Sequence, residues 1–271
     1  MRLASASTLE LTRLSALFNE GFSDYLLPLE LSEPAFREHV AANDIDLDCS
    51  RVAIEDRPAA VALIARRGRA AWVGGMGTAP AYRRRGLGER VLVAALEAAA
   101  GRGCREVWLE VLDGNRGAVA LYEKLGFEVV RDLIVWSLPA HRGGVPASRP
   151  VGPEQARAWI GAHRPSREPW QRADPSVDRL VALGARLRGL MVDRDGRVAG
   201  AVVFREDGDP ATTFQIAAVD EASAADTLLA ATGGERGLRL SNAPAGEPAS
   251  RALERLGARA VARQHEMRLA L

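Results

Sequence analysis

The sequence predicts an α/β protein, layered in the α+β manner and divided into two domains. Between residues 52 and 138, apolar runs typical of strands alternate with segments of helical periodicity. A stretch rich in proline, glycine, serine and arginine, residues 139–153, then interrupts the periodicity, and a similar order of elements returns after it. With 271 residues and 47% hydrophobic content, the chain is long enough to bury two cores of ordinary size.

The first half opens with two segments of helical spacing and continues with strands around a turn at Asp56-Arg57-Pro58. Three glycines, Gly74, Gly75 and Gly77, crowd the third strand, which indicates a bulge or a place where another backbone or a ligand comes close. The predicted elements are helices at 9–20, 34–42, 89–100 and 116–125 and strands at 52–54, 60–65, 71–78, 106–111 and 127–138.

The second half follows the same plan in outline. Its predicted elements are strands at 198–205, 213–219, 238–240 and 260–269 and helices at 222–231 and 249–256. When Leu256-Gly257 is aligned with Leu125-Gly126, Leu253 stands opposite Tyr122, and no Arg-x-x-Gly-x-Gly loop precedes the helix at 222–231. The predicted organisation is one domain at 1–140, a linker at 141–152 and a second domain at 153–271.

Composition excludes several classes of function. Lys and Arg total 36 against 35 Asp and Glu, a net charge of +1, so no global field draws the chain to nucleic acid or to an anionic membrane. No apolar run approaches the roughly eighteen residues of a membrane span, and the N-terminus has no signal-peptide core, so we expect a cytoplasmic protein. Cys49 and Cys104 lie far apart and the four histidines are scattered, so neither a disulfide nor a metal site is expected.

The stretch Arg83-Arg84-Arg85-Gly86-Leu87-Gly88, directly before an apolar helical run, is the most informative local feature. Glycine lets the backbone approach a ligand closely, and a helix N-terminus presents amide N–H groups and partial positive charge, so the pattern predicts a site for phosphate or pyrophosphate. A solvated charge run before an ordinary helix is the alternative. No Gly-x-x-x-x-Gly-Lys-Ser/Thr occurs, and Pro80 stands where a dinucleotide fingerprint has glycine, which disfavours NTP and NAD sites.

A second cluster follows: Leu109-Glu110-Val111, then Asn115, then the run from Ala118 to Phe127. Together the two clusters resemble the GNAT superfamily of acyl-CoA-dependent N-acetyltransferases, whose cofactor loop reads Arg/Gln-x-x-Gly-x-Gly/Ala and whose later helix reads Ala-x-x-Leu-Tyr-x-x-x-Gly-Phe. The resemblance covers residues 5–138 closely. It implies two GNAT-like domains, each a mixed, mostly antiparallel central sheet flanked by helices, with a catalytic first domain and a degenerate second one.

The resemblance implies acetyl-CoA as the cofactor. Its pyrophosphate would lie on the amides of residues 84–89, and its pantetheine arm would pair like an added strand with residues 76–78, where Gly77 leaves room. The amide of Met76 or Gly77 would polarise the thioester carbonyl, with tight glycine packing as the alternative. Asn115 is expected to cap its helix and to contact the cofactor. The cofactor-binding candidates are Met76, Gly77, Thr78, Arg83, Arg84, Arg85, Gly86, Leu87, Gly88, Glu89, Asn115 and Tyr122.

Two residues are candidates for proton transfer. By its place in the motif, Tyr122 resembles the family's general acid, since a phenol with a pKa of about 10 stays protonated at neutral pH and can donate to a thiolate whose conjugate acid has a pKa of about 8.5. A buried tyrosine of an amphipathic helix is the alternative. Glu110 is the candidate general base, acting through a water, because an ammonium must lose a proton before it attacks; a structural carboxylate is the alternative.

The acceptor is predicted only as a class, a primary amine of a small molecule or of a peptide or protein N-terminus. Residues 22–30 join the first two helices, a region that covers the acceptor channel in the resembling family. The substrate candidates are Phe22, Asp24, Tyr25, Glu30, Trp72 and Trp108, with Asp24 or Glu30 holding a cation. Surface loop and core aromatics are the alternative. A non-catalytic acyl-CoA sensor is the second class of function, and a homodimer stays open.

Overall fold

A computed structural model describes residues 1–24, 29–140, 144–205 and 210–271. Its contacts divide the chain into two compact units. Unit 1 comprises Met1–Val130 and His265–Leu271, and unit 2 comprises Arg131–Gln264. Each unit combines helices with part of a mixed sheet, so the predicted layered α/β class is confirmed.

Unit 1 is a mixed sheet with helices on both faces. Its strands are β1 (Arg2–Ser5), β2 (Arg51–Ile54), β3 (Pro58–Arg67), β4 (Ala70–Thr78), β5 (Glu106–Leu112), the start of β6 (Glu128–Leu138) and the end of β12 (Arg259–Ala270). Its helices are α1 (Leu11–Gly21), α2 (Glu33–Ala42), α3 (Leu87–Gly101) and α4 (Arg116–Lys124). The strand order is β1-β2-β3-β4-β5-β12, antiparallel from β1 to β4 and parallel between β4 and β5.

Helices α1 and α3 cover opposite faces of β4. Successive side chains of a strand point to opposite faces, and a Cβ on Gly88 of α3 would lie 3.0 Å from the side chain of Met76, whereas a Cβ on Gly21 of α1 would lie 2.9 Å from Cα of Gly77. The apolar stripe of α3 is buried in the core of unit 1, at i, i+4 and i+8 from Val91. Strand β4 therefore lies between two helices along the segment that carries the candidate site.

Unit 2 repeats this arrangement with other residues. Its further strands are β7 (Arg149–Val151), β8 (Leu187–Arg194), β9 (Arg197–Arg205), β10 (Ala211–Ala218) and β11 (Leu238–Pro244), and its helices are α5 (Pro153–His163), α6 (Asp174–Ala182), α7 (Glu221–Thr232) and α8 (Pro248–Arg255). The strand order is β12-β6-β11-β10-β9-β8-β7, and the pair β10–β11 is parallel. Helix α7 packs on the core that contains Leu228, and α5 buries Ala156 and Ile160 in a second cluster.

The division of contacts differs from the predicted boundary. Strand β6 crosses from unit 1 to unit 2 at Arg131, and its later part pairs with β11 from Leu138 to Leu133. The end of β12 returns to unit 1 beside β5. Within the predicted linker 141–152, residues 141–143 lie outside the described residues, and Arg149–Val151 form β7 against β8. The boundaries of the two units follow from strand pairing, and local composition does not encode strand pairing.

Several elements have no counterpart in the sequence-based prediction: β1, β7, α5, α6 and β8. Strand β1 has only four residues, and α5 buries only Ala156 and Ile160, so both carry a weak periodic signal. The predicted hairpin at 52–54 and 60–65 is confirmed as β2 and β3, with Val52 opposite Val61.

The contact between Gly21 and Gly77 predicts a sensitive position. A Cβ on Gly21 would lie 2.9 Å from backbone Cα, so Gly21→Ala has to move α1 away from β4, at an expected cost of about 1–3 kcal/mol in the free energy of unfolding. Gly117→Ala in α4 is the matched control, because its Cβ meets no atom within 4 Å and removal of helical glycine is neutral or stabilising by about 0.5–1 kcal/mol. Urea denaturation measures both; equal effects would contradict the argument.

Candidate functional site

A gap opens between β4 and β5. Their parallel pairs run from Ala70 with Glu106 to Trp72 with Trp108, although both strands are fully described and β4 continues to Thr78. Immediately beyond Trp72, the pairing of β4 with β3 shifts by one residue, which makes Gly74 a β-bulge. The bulge therefore lies where the two strands part, as the crowding of glycines predicts.

The bulge is held from the α1 and α2 side. His39 of α2 is half-buried, and its Nε2 lies 2.8 Å from the carbonyl oxygen of Gly74. Burial lowers the pKa of His39 below its ordinary value near 6.5, against the smaller opposing effect of that hydrogen bond. A Cβ on Gly75 would lie 2.5 Å from the ring of Phe18, so the ring fits against β4 only because position 75 is glycine.

The loop before α3 combines left-handed backbone with a helix start that has no side-chain cap. Arg84 and Gly86 adopt left-handed conformations with φ of 62° and 74°, and α3 begins at Leu87 with glycine as its cap residue and no side-chain cap. A non-glycine residue in this region stores strain, a feature that clusters at ligand sites, and an uncapped helix start leaves amide donors for a ligand. Gly88 lies on the same side as Met76 and Thr78, the latter 3.4 Å from the place of a Cβ.

The three arginines have different surroundings. Arg83 donates to both carboxylate oxygens of Asp24, at 2.5 and 2.6 Å, and also to the carbonyl oxygens of Thr78 and Gly21. Its hydrogen bond lowers the pKa of the Asp24 carboxyl. Arg85 lies over the ring of Tyr82, with 5.5 Å between the guanidinium carbon and the ring centroid. Among the three, Arg84 and Arg85 are exposed on the loop, and Arg83 ties α1 to the end of β4.

Lys124 at the end of α4 faces the first turn of α3. Its Nζ lies 2.6 and 2.8 Å from the two carboxylate oxygens of Glu89. Lys124 is the only lysine of the chain. It compensates the acidic side chain beside the uncapped amides, where a bare carboxylate would oppose an anion.

The Tyr122 hydroxyl points to the segment of β4 beyond the bulge, with its oxygen 3.7 Å from the sulfur of Met76. The ring is buried and packs edge-on against Phe127 at 5.7 Å between centroids. Asn115 caps α4, since its Oδ1 accepts from the amide of Ala118 at 3.3 Å, so the capping part of its predicted role is confirmed. Helix α4 thus brings the phenol to the same strand segment as Gly88 of α3.

Glu110 lies on β5 across the gap from β4. Its Oε2 accepts a hydrogen bond of 2.7 Å from the indole Nε1 of Trp72. Trp108, on the same strand, lies under the guanidinium of Arg268 at 5.7 Å. The two tryptophans therefore have different partners: Trp72 orients the carboxylate of Glu110, and Trp108 stacks on the guanidinium of Arg268.

Two of the remaining acceptor candidates, Phe22 and Asp24, lie beside the end of β4. The Phe22 ring packs on Phe18 at 4.6 Å, Asp24 pairs with Arg83, and Glu30 is exposed. Tyr25 lies outside the described residues. His39 is a residue beside the bulge that the sequence does not single out. No local pattern connects this histidine to a strand 35 positions away.

The described ranges contain neither a membrane-spanning helix nor a cluster of metal ligands. No helix there combines the length and apolar character needed to cross a bilayer. Among the same residues, no group of three His, Cys, Asp or Glu side chains is arranged to hold a metal ion. Cys49 and Cys104 are buried free thiols.

Comparison with known proteins places this site in a family context. A profile described as the acetyltransferase (GNAT) family matches residues 12–127. Mycothiol acetyltransferase of Corynebacterium glutamicum is 44% identical over 61 residues, which cover 22% of this chain and 21% of that protein. The [ribosomal protein bS18]-alanine N-acetyltransferase of Escherichia coli K12 is 46% identical over 48 residues, 18% of this chain and 32% of that protein. The chain thus spans a fifth to a third of these relatives.

Solved structures match over nearly the whole chain. A GCN5-related N-acetyltransferase from Sphaerobacter thermophilus superimposes with a TM-score of 0.72 at 17% identity, covering 99% of this chain and 95% of that one. A tandem GNAT protein from the clavulanic acid biosynthesis pathway gives a TM-score of 0.66 at 16% identity, covering 99% and 98%. At such identities the likeness concerns the fold. Residues 12–127, which carry the glycine loop and Tyr122, match the model of the GNAT family of acetyltransferases.

Proposed function

We propose that unit 1 is an acetyl-CoA-dependent N-acetyltransferase that acts on a primary amine of a small molecule or of a peptide or protein N-terminus. One observation carries the proposal. The phenol of Tyr122, the strand edge beyond the Gly74 bulge and the uncapped start of α3 meet around the end of the β4–β5 gap. A proton donor, an open strand edge and an anion site are the parts that thioester aminolysis requires.

The residues present fit acetyl-CoA, which supplies the activated acetyl group. The left-handed loop at Arg84 and Gly86 and the uncapped amides of α3 suit a pyrophosphate. Beyond Trp72, β4 has an edge without a β5 partner, and an extended arm with amide groups can pair with such an edge. We assign the cradle to the amides of residues 84–89 and the strand edge to residues 76–78, with Asn115 at the mouth of α4.

In our proposal, Gly77 permits close packing of a helix and does not serve to leave room for the pantetheine arm. Its Cα faces Gly21 of α1, and it is buried. In our proposal Gly77 keeps α1 against β4, and Met76 and Thr78 present the other face to Gly88. Arg83 likewise supports the loop by holding Asp24 and the end of β4, which leaves Arg84 and Arg85 as the exposed cations.

Proton transfer divides between two side chains. Tyr122 donates its hydroxyl proton to the departing thiolate, since its oxygen reaches the strand segment that would hold the thioester. Glu110 accepts the ammonium proton through a water, and the Trp72 indole fixes the orientation of its carboxylate. The two groups come from α4 and β5, so the amine enters between the diverging strands. The relatives carry different names, mycothiol acetyltransferase and [ribosomal protein bS18]-alanine N-acetyltransferase, so they do not point to one common acceptor.

We propose that unit 2 binds no acyl-CoA. The pairs of β10 with β11 end at Thr213 with Leu240, and β10 has a bulge at Phe214, so the scaffold resembles the gap of unit 1. Arg172 occupies this place: its Nε donates to Phe214 O at 2.7 Å and its Nη1 to Asn242 O at 3.1 Å. Its Nη2 pairs with the buried Glu168 at 3.1 Å.

The start of α7 is also closed to phosphate. Asp220 caps it, accepting from the amide of Ser223 at 2.7 Å, and this hydrogen bond lowers the pKa of the Asp220 carboxyl. Glu221 in the first turn is paired with Arg251 and Arg255. An internal carboxylate therefore holds the position that a ligand anion would take.

The function itself is tested with the full chain, acetyl-CoA and a panel of primary amines that includes peptides with N-terminal alanine. Release of CoA together with acetylated amine, identified by mass spectrometry, is the expected result. CoA binding without product against any amine would favour the sensor, and absence of both binding and turnover would reject the proposal.

The cofactor loop predicts the effect of Gly88→Val. Its side chain enters the space beside Met76 and Thr78, so the Kd for CoA is expected to rise by about tenfold or more, about 1.4 kcal/mol. Gly101→Val at the other end of α3 is the matched control, because a Cβ there meets no atom within 4 Å. Calorimetry measures both. Wild-type affinity in the Gly88 variant would remove the anion-site argument.

Tyr122→Phe is expected to lower kcat by about 10²-fold with little change in KM for acetyl-CoA, because the ring stays packed on Phe127 while the proton is lost. Tyr82→Phe serves as the control, since that hydroxyl bonds Asp56 at 2.5 Å. It should retain the wild-type kcat. Steady-state kinetics decides, and full activity of the Tyr122 variant would assign Tyr122 to packing alone.

The closed gap of unit 2 predicts a single CoA site per chain. Calorimetric titration of the full chain should fit one site, and in Gly88→Val that single site should weaken as a whole, with no second site of wild-type affinity remaining. A second site that survives in the Gly88 variant would show that Arg172 and Asp220 do not exclude the ligand.

A further inference from the structure

We propose that His39 is a positioning residue for acetyl transfer: its ring holds the carbonyl of the Gly74 bulge and thereby fixes the amide that β4 presents to the thioester carbonyl. The proposal rests on the proposed function. His39 belongs to neither the glycine loop nor the α4 motif, and it comes from α2 on the face opposite α3.

The hydrogen bond defines the tautomer of the ring. A carbonyl oxygen only accepts, so the Nε2 atom 2.8 Å from Gly74 O carries the proton. The Nδ1 atom of a neutral ring is an acceptor, and Nδ2 of Asn43 lies 3.3 Å from it. Asn43 also donates to the carbonyl oxygen of His39 at 3.0 Å, so the end of α2 fixes the donor. The side chains of Asn43 and His39 thus form a chain of hydrogen bonds that ends at the bulge.

The residues directly after the bulge include the amide that faces the gap. Gly75 pairs with Leu63 and Met76 with Ala62 in the antiparallel ladder with β3. In such a ladder, consecutive residues alternate between directing their N–H and C=O to the partner strand and directing them to the opposite side. One of these two amides is therefore directed to the side of β5, where pairing has ended at Trp72. Its direction depends on the Gly74 peptide that His39 holds.

Preorganised donors of this kind matter because they need no reorganisation when charge develops on a carbonyl oxygen. At a bulge, the extra residue leaves the ladder and has more conformational freedom than its neighbours. Here glycine occupies positions 74 and 75, which adds further freedom of the backbone. A donor on the bulge carbonyl restricts that freedom, and the rings of Phe18, Phe36 and Trp72, with centroids 6.1 to 6.4 Å from that of His39, pack around the donor ring.

The test compares His39→Phe with His39→Gln in the full chain. Phe keeps a ring among the aromatic neighbours and removes the donor, so kcat is expected to fall by about 10- to 100-fold while KM for acetyl-CoA stays within about threefold. Gln offers an amide donor and should recover most of the lost kcat. Val52→Ala, a change at a buried position of β2 opposite Val61, is the control and should lower thermal stability with kcat unchanged.

A second measurement does not need activity. In ¹⁵N NMR of the wild-type ring at pH 7, Nε2 is expected to be protonated and Nδ1 unprotonated; the reverse tautomer or a charged ring would overturn the proposal. Should His39→Phe not fold, His39→Leu replaces it. Equal kcat in folded wild type and donor-less variant, equal losses in the Phe and Gln variants, or a loss confined to KM would each reject the positioning role. A wild type that transfers no acetyl group rejects the proposed function, and this inference with it.

Discussion

The divergence of β4 from β5 is the constraint on which the site depends. Once the parallel pairing ends at Trp72, the edge of β4 presents backbone donors and acceptors that need partners other than a neighbouring strand. The bulge at Gly74 sets the point of departure, and the two helices that close on opposite faces of β4 do so through glycine contacts, Gly21 on Gly77 and Gly88 beside Met76. The glycines that weaken the strand are thus the residues that permit a site around it.

The two units have similar strand pairs, β4 with β5 and β10 with β11, but differ in the side chains beside the gap where each pairing ends. Both have a parallel pair that ends early beside a bulge. In unit 1 a neutral histidine takes the bulge carbonyl, whereas in unit 2 the guanidinium of Arg172 takes it and fills the gap together with Glu168. Burial raises the pKa of Glu168, with Arg172 the main opposing charge, so removing Arg172 would leave a costly buried carboxyl. A single substitution of Arg172 would therefore destabilise unit 2 instead of simply reopening the gap between β10 and β11.

Local patterns carried much of the fold and of the site. Glycine crowding predicted the bulge, the glycine loop before an apolar helix predicted the uncapped start of α3, and the residue before α4 predicted a cap at Asn115. Contacts between residues far apart in the sequence could not be predicted from local patterns. Arg83 meets Asp24 across 59 positions and His39 meets Gly74 across 35, and neither pair has a periodic or turn signal. The exchange of β6 and β12 between the units has the same origin, since it is decided by strand pairing.

Two of the charged side chains near the loop before α3 form ion pairs that connect neighbouring elements. Arg83 is neutralised by Asp24 while it ties α1 to β4, and Glu89 is neutralised by Lys124 while it ties α3 to α4. Both pairs are at least partly exposed, where an ion pair contributes on the order of 1 kcal/mol or less, so their value lies in setting distances between elements. Under the proposed function, recognition of an anion falls to the amides of α3 and to the two exposed arginines. Because those amides are fixed by the backbone, the glycines of this motif are then more diagnostic of the proposed site than its arginines.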